Sequence, residues 1–204
     1  MRLAILISLL LASVAQAQIV KVTVETTTTR QICENGYCRR ITTPQRFTGS
    51  GTIIATGDEY KPGRSLVLSC SHVLEGDNPR VTVADHPATI LGREYKLAEN
   101  GMPVTDLSLF EVAHDFGEGY SIPLADDDEL APGQTARVIG WKPGNNEDAG
   151  LEGVVQTSTT MLAPVKIGDS GGPVWYRGRV RGVIHGYRVD QPRCSIFIPL
   201  PTIR

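Results

Sequence analysis

Short apolar stretches, cut apart by glycine, proline, asparagine and aspartate, recur along this chain and constrain it to a β architecture. Val20, Val22 and Val24 alternate with Lys21, Thr23 and Glu25, the period of a half-buried strand. The threonines at 26–29 continue with residues that suit strands. Comparable stretches lie at 52–55, 66–69, 81–84, 88–91, 107–112, 136–141, 153–159, 173–176, 180–185 and 195–200. Turn-forming clusters at 58–64, 77–80 and 142–150 separate them. With 21 glycines and 13 prolines in 204 residues, and no long amphipathic helical pattern, the chain reads as an all-β sandwich or barrel. The stretch His114-Asp115-Phe116-Gly117-Glu118-Gly119 is the candidate linker near the middle. Asp126-Asp127-Asp128 lacks the spaced carboxylates and following glycine of a calcium loop, and reads as a solvated turn.

The N-terminus has the pattern of an export signal. Arg2 precedes the apolar run from Leu3 to Leu11, and Ala15-Gln16-Ala17 is a small-x-small cleavage site. As a helix, residues 3–14 would span roughly 18 Å at about 1.5 Å per residue, short of the ~30 Å hydrocarbon core. Residues 1–17 are therefore expected to be removed as a signal peptide, leaving no stable membrane insertion. The expected location is secreted or periplasmic. A net charge of −2 and a pI near 6.1 offer no basic surface for nucleic acid.

Export permits disulfides. Cys33 and Cys38 flank Asn35-Gly36, the dipeptide of a tight hairpin tip. A bond closing so short a loop contributes about 2 kcal/mol in the chain-entropy model. Cys70 and Cys194 are left as a second candidate pair or as two buried thiols, since four cysteines allow three connectivities.

The candidate chemistry centres on Gly168-Asp169-Ser170-Gly171-Gly172-Pro173. A serine flanked by glycines on a tight turn exposes its hydroxyl, and the N–H groups of Gly168 and Ser170 can aim at one point as an oxyanion hole. A neutral hydroxyl needs a base, and the base needs an orienting group. Of the four histidines, His72 ends the strand-like run 66–71, where a side chain is held yet accessible. His86 and His114 have polar, turn-forming neighbours and are expected to be solvated. Asp106 leads into the apolar run 107–112, whereas Asp77 and Asp85 sit in turns.

These residues resemble the motifs of the chymotrypsin (trypsin-like) serine peptidase family, especially its compact bacterial branch, which includes the catalytic domains of HtrA-type proteases. Gly49-Ser50-Gly51-Thr52-Ile53-Ile54 followed by Val67-Leu68-Ser69-Cys70-Ser71-His72-Val73 resembles the family's histidine region. Asp106-Leu107-Ser108-Leu109 resembles its aspartate motif, and 168–173 its serine motif. Pro132-Gly133-Gln134 leading to Val138-Ile139-Gly140-Trp141 is similar to the start of its second half, so the likeness covers roughly 47–187.

The resemblance implies two packed six-stranded antiparallel β-barrels, chymotrypsin-like, with the active site between them. Residues 18–115 would form the first barrel, carrying His72 and Asp106, and 116–204 the second, carrying Ser170. It implies a serine endopeptidase acting on protein or peptide substrates through a His72–Asp106–Ser170 triad and an acyl-enzyme, with no metal or organic cofactor. The alternative is a catalytically silent binding or structural protein of the same fold. Animal digestive members pair a newly cut Ile-Val amine with the acid before the serine. Here Lys21-Val22 follows Ile19-Val20, and Arg39-Arg40-Ile41 lies close to Gly51, so Asp169 is expected to find another partner. Pro164, Val165, His185, Gly186 and Tyr187 are the candidates for the specificity pocket. His185 would either read an acidic or amide side chain or support the triad. A site without an acid at its base would disfavour a basic side chain, which is costly to desolvate unpaired, and a small apolar or broad preference is expected.

Overall fold

The structure, a computed structural model, describes residues 19–200 apart from 118–119, 126–129, 142–149 and 189. The expected signal peptide 1–17, the aspartates 126–128 and most of the expected turn at 142–150 thus lie outside the described residues.

Two closed antiparallel barrels of six strands each make up the fold. The first contains β1 (Ile19–Glu34), β2 (Tyr37–Lys61), β3 (Arg64–Ser69), β4 (Asp77–Val83), β5 (His86–Leu97) and β6 (Pro103–Val112). Its order is β1-β2-β3-β6-β5-β4, and β4 returns to β1. The second contains β7 (Thr135–Val138), β8 (Leu151–Thr157), β9 (Thr160–Leu162), β10 (Pro173–Tyr176), β11 (Arg179–Arg188) and β12 (Gln191–Pro199). Its order is β10-β11-β12-β9-β8-β7, closed by pairing of β10 with β7. Closure removes the free edges that an open sheet would leave.

Alternation fills each barrel. Val22, Val24, Ile53, Val67, Val83 and Phe110 are buried in the first core. Val138, Val155, Met161, Val174, Ile184 and Phe197 are buried in the second. Val183, one residue before Ile184, belongs to the first cluster, so β11 presents one face to each barrel. The connection from β6 to β7 also joins them. The Ile122 amide donates to Ile53 of β2, and Pro123 and Ala125 exchange backbone hydrogen bonds with Val180 of β11.

The hairpin of β1 and β2 runs in unbroken register from Ile19↔Thr52 to Glu34↔Tyr37. Asn35 (φ 52°) and Gly36 (φ 80°) both take the left-handed conformation, which matches the twist of the flanking strands. β4 covers β1 only between Val22 and Thr27, so beyond that point the hairpin is a two-stranded, largely exposed arm. The Cys33–Cys38 disulfide closes its tip. The second candidate pair does not form: Cys70 and Cys194 are free, buried thiols. Cys70 follows β3 in the first core, whereas Cys194 lies opposite Leu162 on β12 of the second barrel.

Further expectations need correction. Residues 58–61 and 77–80, read as turn clusters, are strand residues of β2 and β4, held by pairing with neighbouring strands despite their turn-forming composition. The 153–159 stretch ends as a strand at Thr157, and a turn there starts the separate short strand β9. His86 and His114 are not freely solvated. Their rings stack at 3.8 Å between centroids, half-buried, with Phe116 against both.

Candidate active site

The serine loop is built around glycines that admit no side chain. Gly171 has φ 88°, and a Cβ there would lie 2.1 Å from the Ser50 carbonyl oxygen and 2.2 Å from Ser69 Oγ. A Cβ on Gly172 would lie 2.2 Å from the Ile139 carbonyl oxygen. The Asp169 amide donates to the Lys166 carbonyl and the Gly172 amide to the Asp169 carbonyl, which closes the turn. Asp169 Oδ2 accepts the Lys166 amide at 2.6 Å, so this acid has a partner within its own loop. Ile41, following Arg39-Arg40, is a paired residue of β2, opposite Arg30.

Ser50 of the first barrel holds this loop at two points and the Trp141 loop at a third. Its amide donates to the Ser170 carbonyl at 2.7 Å and its hydroxyl to the Gly168 carbonyl at 2.6 Å, while Trp141 N–H donates to the same hydroxyl at 2.7 Å. In the sequence Ser50 stands out only as part of the motif Gly49-Ser50-Gly51. Its flanking glycines were the available signal, because a Cβ on Gly49 would come within 2.9 Å of the Ser170 carbonyl oxygen. Neither the Gly168 nor the Ser170 amide has an acceptor among the described residues. Gly168 itself has φ 100°.

His72 opens a 3-10 turn, His72–Leu74, directly after β3, with Val73 and Leu74 buried beneath it. Asp106 comes from β6 and is fully buried. Its Oδ1 accepts the backbone amides of Ser71 (2.7 Å) and His72 (2.8 Å). Its Oδ2 accepts His72 Nδ1 at 2.6 Å and also His185 Nδ1 at 2.5 Å. Burial alone pushes the carboxyl up, but the two imidazole hydrogen bonds and the histidines' charge outweigh it and hold Asp106 well below the usual carboxylate range. A carboxylate only accepts, so each Nδ1 carries its proton and each Nε2 keeps a lone pair when the ring is neutral. Cys70 Sγ lies 3.8 Å from His72 Nε2, and burial followed by the Asp106 charge pushes this thiol up beyond ready ionisation. Ser170 Oγ donates to the His185 carbonyl at 3.1 Å.

The sequence profile of the trypsin-like peptidase domain matches residues 49–183, well over half of the chain. The chain belongs to the trypsin-like peptidase family. Solved structures agree on the fold. The Rv3671c protease in its inactive form superposes with a TM-score of 0.58 at 20% identity, covering 92% of this chain and 86% of that one. The active form, from M. tuberculosis, gives 0.56 at 21% identity, with 92% and 78% covered. An inactivated protease paralogue of the scabies mite, S-D1, gives 0.53 at 11% identity, with 91% and 88% covered. Comparison with curated protein sequences gives no match.

In this trypsin-like peptidase His72 and Ser170 line one groove of about 340 Å³, together with Phe47, Val73, Ile167 and Tyr187 among others. A larger recess of about 660 Å³ lies over β4 and β5, away from these groups, and contains neither a histidine nor a serine. Of the expected pocket residues, Gly186 and Tyr187 line the groove. Pro164 is exposed outside it, and Val165 is buried in the second core. The His185 ring is turned to Asp106 and does not line the groove. Lys166 and Ile167, from the segment 164–167 expected to frame the pocket, do line the groove, whereas Phe47 and Val73 are lining residues that sequence reasoning missed. All four are ordinary side chains, brought together only by the meeting of two barrels.

Proposed function

We propose that this trypsin-like peptidase is a serine endopeptidase, secreted or periplasmic, that cleaves protein or peptide chains through Ser170, His72 and Asp106. The observation that carries this reading is the His72 Nδ1–Asp106 hydrogen bond in a groove that Ser170 also lines: Asp106 binds Nδ1–H, which leaves the Nε2 lone pair as a base. The reaction requires Ser170 Oγ to leave the His185 carbonyl by rotation about χ1 and to engage Nε2 once substrate is bound. As Oγ bonds to the scissile carbonyl carbon, its proton passes to His72 Nε2, and Asp106 stabilises the imidazolium without taking the proton. The oxyanion meets the unspent N–H groups of Gly168 and Ser170. His72 then protonates the leaving amine as the C–N bond breaks. It next deprotonates the water that hydrolyses the acyl-enzyme.

The groove's carboxylate among the described residues is Glu75, which is exposed. A buried basic side chain would therefore lack a desolvated partner, and a small apolar or broad preference fits better. An acidic or amide preference read by His185 does not fit, because that imidazole is committed to Asp106. The disulfide at the hairpin tip suits an oxidising compartment. No helix among the described residues is long and apolar enough to cross a membrane.

A second reading is a silent protein of this fold. Its support is the Ser170 hydroxyl bonded to His185 rather than His72, and a structural neighbour described as inactivated. Labelling of the mature protein by a fluorophosphonate, with hydrolysis of casein that Ser170→Ala lowers by roughly 10⁴–10⁶-fold, supports the endopeptidase. A folded protein that neither labels nor hydrolyses, with the groove empty of inhibitor, supports the silent reading.

A further inference from the structure

His185 touches each of the three groups that the proposed chemistry needs. Its Nδ1 is 2.5 Å from Asp106 Oδ2, the oxygen that also accepts His72 Nδ1. Its ring lies edge-on to the His72 ring, with centroids 4.9 Å apart at 70°. Its backbone carbonyl accepts the Ser170 hydroxyl. The strand explains how one residue reaches so far. On β11, Ile184 pairs with Phe197 and Gly186 with Ile196, so His185 is the extra residue of a bulge. Bulges re-aim a side chain out of the pleat. This one turns the imidazole from the second barrel into the first.

We propose that His185 is a positioning residue that fixes Asp106 by hydrogen bonding to Oδ2 and thereby sets the orientation and basicity of His72. The inference rests on the serine endopeptidase reading for its kinetic consequences, though not for its geometry. With two backbone amides on Oδ1 and two imidazoles on Oδ2, the carboxylate's acceptor sites are filled and it has no freedom to rotate. The two imidazoles also divide the charge of one oxygen. Removing His185 frees that oxygen for His72 alone, which stabilises the His72 imidazolium while loosening its alignment.

The titratable groups facing His185 are Asp106 from β6 and His72 from the turn after β3, with Cys70 behind His72. The neighbouring strand β12 offers Phe197 and Ile196 at this level, which do not titrate.

The test compares His185→Leu, which keeps bulk without a donor, with His185→Asn, which keeps a neutral donor. Ser170→Ala serves as the activity blank. Leucine is expected to lower kcat by roughly ten- to hundredfold with KM little changed, and to move the acid limb of kcat/KM up by roughly half a unit to one unit. Asparagine is expected to stay within about tenfold of the parent kcat and to keep the parent's acid limb. A leucine variant with the parent's kcat and pH limb overturns the proposal. So does an asparagine variant no better than leucine, because packing alone would then explain the loss. Should leucine fail to fold, a folded asparagine variant that loses more than about a hundredfold in kcat overturns it by itself.

Absence of turnover in the parent would sink the endopeptidase reading without deciding this one. Proton NMR decides it independently. The parent should show two strongly deshielded Nδ1 protons, and loss of the His185 signal should move the His72 signal. A His72 signal unmoved in His185→Leu, or in His185→Asn if leucine does not fold and asparagine's own bond is absent, overturns the inference.

Discussion

Ser50 of β2 donates its hydroxyl to the Gly168 carbonyl, 2.6 Å away and 118 positions along the chain. The same oxygen accepts the Trp141 amide, so one first-barrel side chain spans two loops of the second barrel. Ser50→Ala leaves both groups without this partner inside the protein. The expected cost is about 1–2 kcal/mol in stability. Displacement of the Gly168 peptide should also lower kcat by roughly ten- to hundredfold. Urea unfolding and steady-state kinetics check the two effects, and an unchanged kcat would mean that the loop holds its shape without Ser50.

Glycine positions in the turns separate steric need from backbone need. Gly171→Ala combines φ 88° with a Cβ 2.1 Å from a carbonyl oxygen, and is expected to cost about 3 kcal/mol or more. Gly178→Ala has φ 78° but open space around the new methyl, and is expected to cost about 1 kcal/mol. Equal melting temperatures for the two variants would contradict this account of the serine loop.

Glu111 on β6 meets Tyr60, Lys61 and Arg64. The Tyr60 hydrogen bond, then that of Lys61, lower its carboxyl from an ordinary value near 4.5 to about 2. A carboxyl depressed in the folded state stabilises above its unfolded value and loses that contribution as pH falls through the folded one. Stability should therefore fall between about pH 4.5 and 2. Glu111→Gln should make the decline shallower in that window. Chemical denaturation at stepped pH measures it, and parallel curves would remove Glu111 from the acid response.

The two free cysteines give a direct count. Cys70 is fully buried and Cys194 is 5% exposed. An aromatic disulfide reagent should find no reactive thiol in the folded protein and two after denaturation without reductant. No thiol after denaturation would mean that Cys70 and Cys194 are joined after all.

Much of the local structure was legible from residue chemistry. The alternation at Val20, Val22 and Val24 gave β1, and Asn35-Gly36 between two cysteines gave the hairpin tip and its disulfide. The arm of β2 was harder to read. Residues 37–48 are mostly exposed and include Pro44, so hydrophobic alternation is weak there, and the strand is carried by its register with β1. The stacking of His86 on His114 was also hidden, because polar neighbours in sequence do not report which strand ends meet.

Residue types and their linear order thus determined the β class, the family motifs and the short list containing His72, Asp106 and Ser170. Tertiary structure decided that Asp106 serves two histidines, that Ser50 braces the serine loop, and that Cys70 and Cys194 stay apart. Strand periodicity and turn preference act over neighbours and are written into any short window. Which side chains meet across the two barrels depends on closure, register and a single bulged residue, and those are set only when the whole core packs.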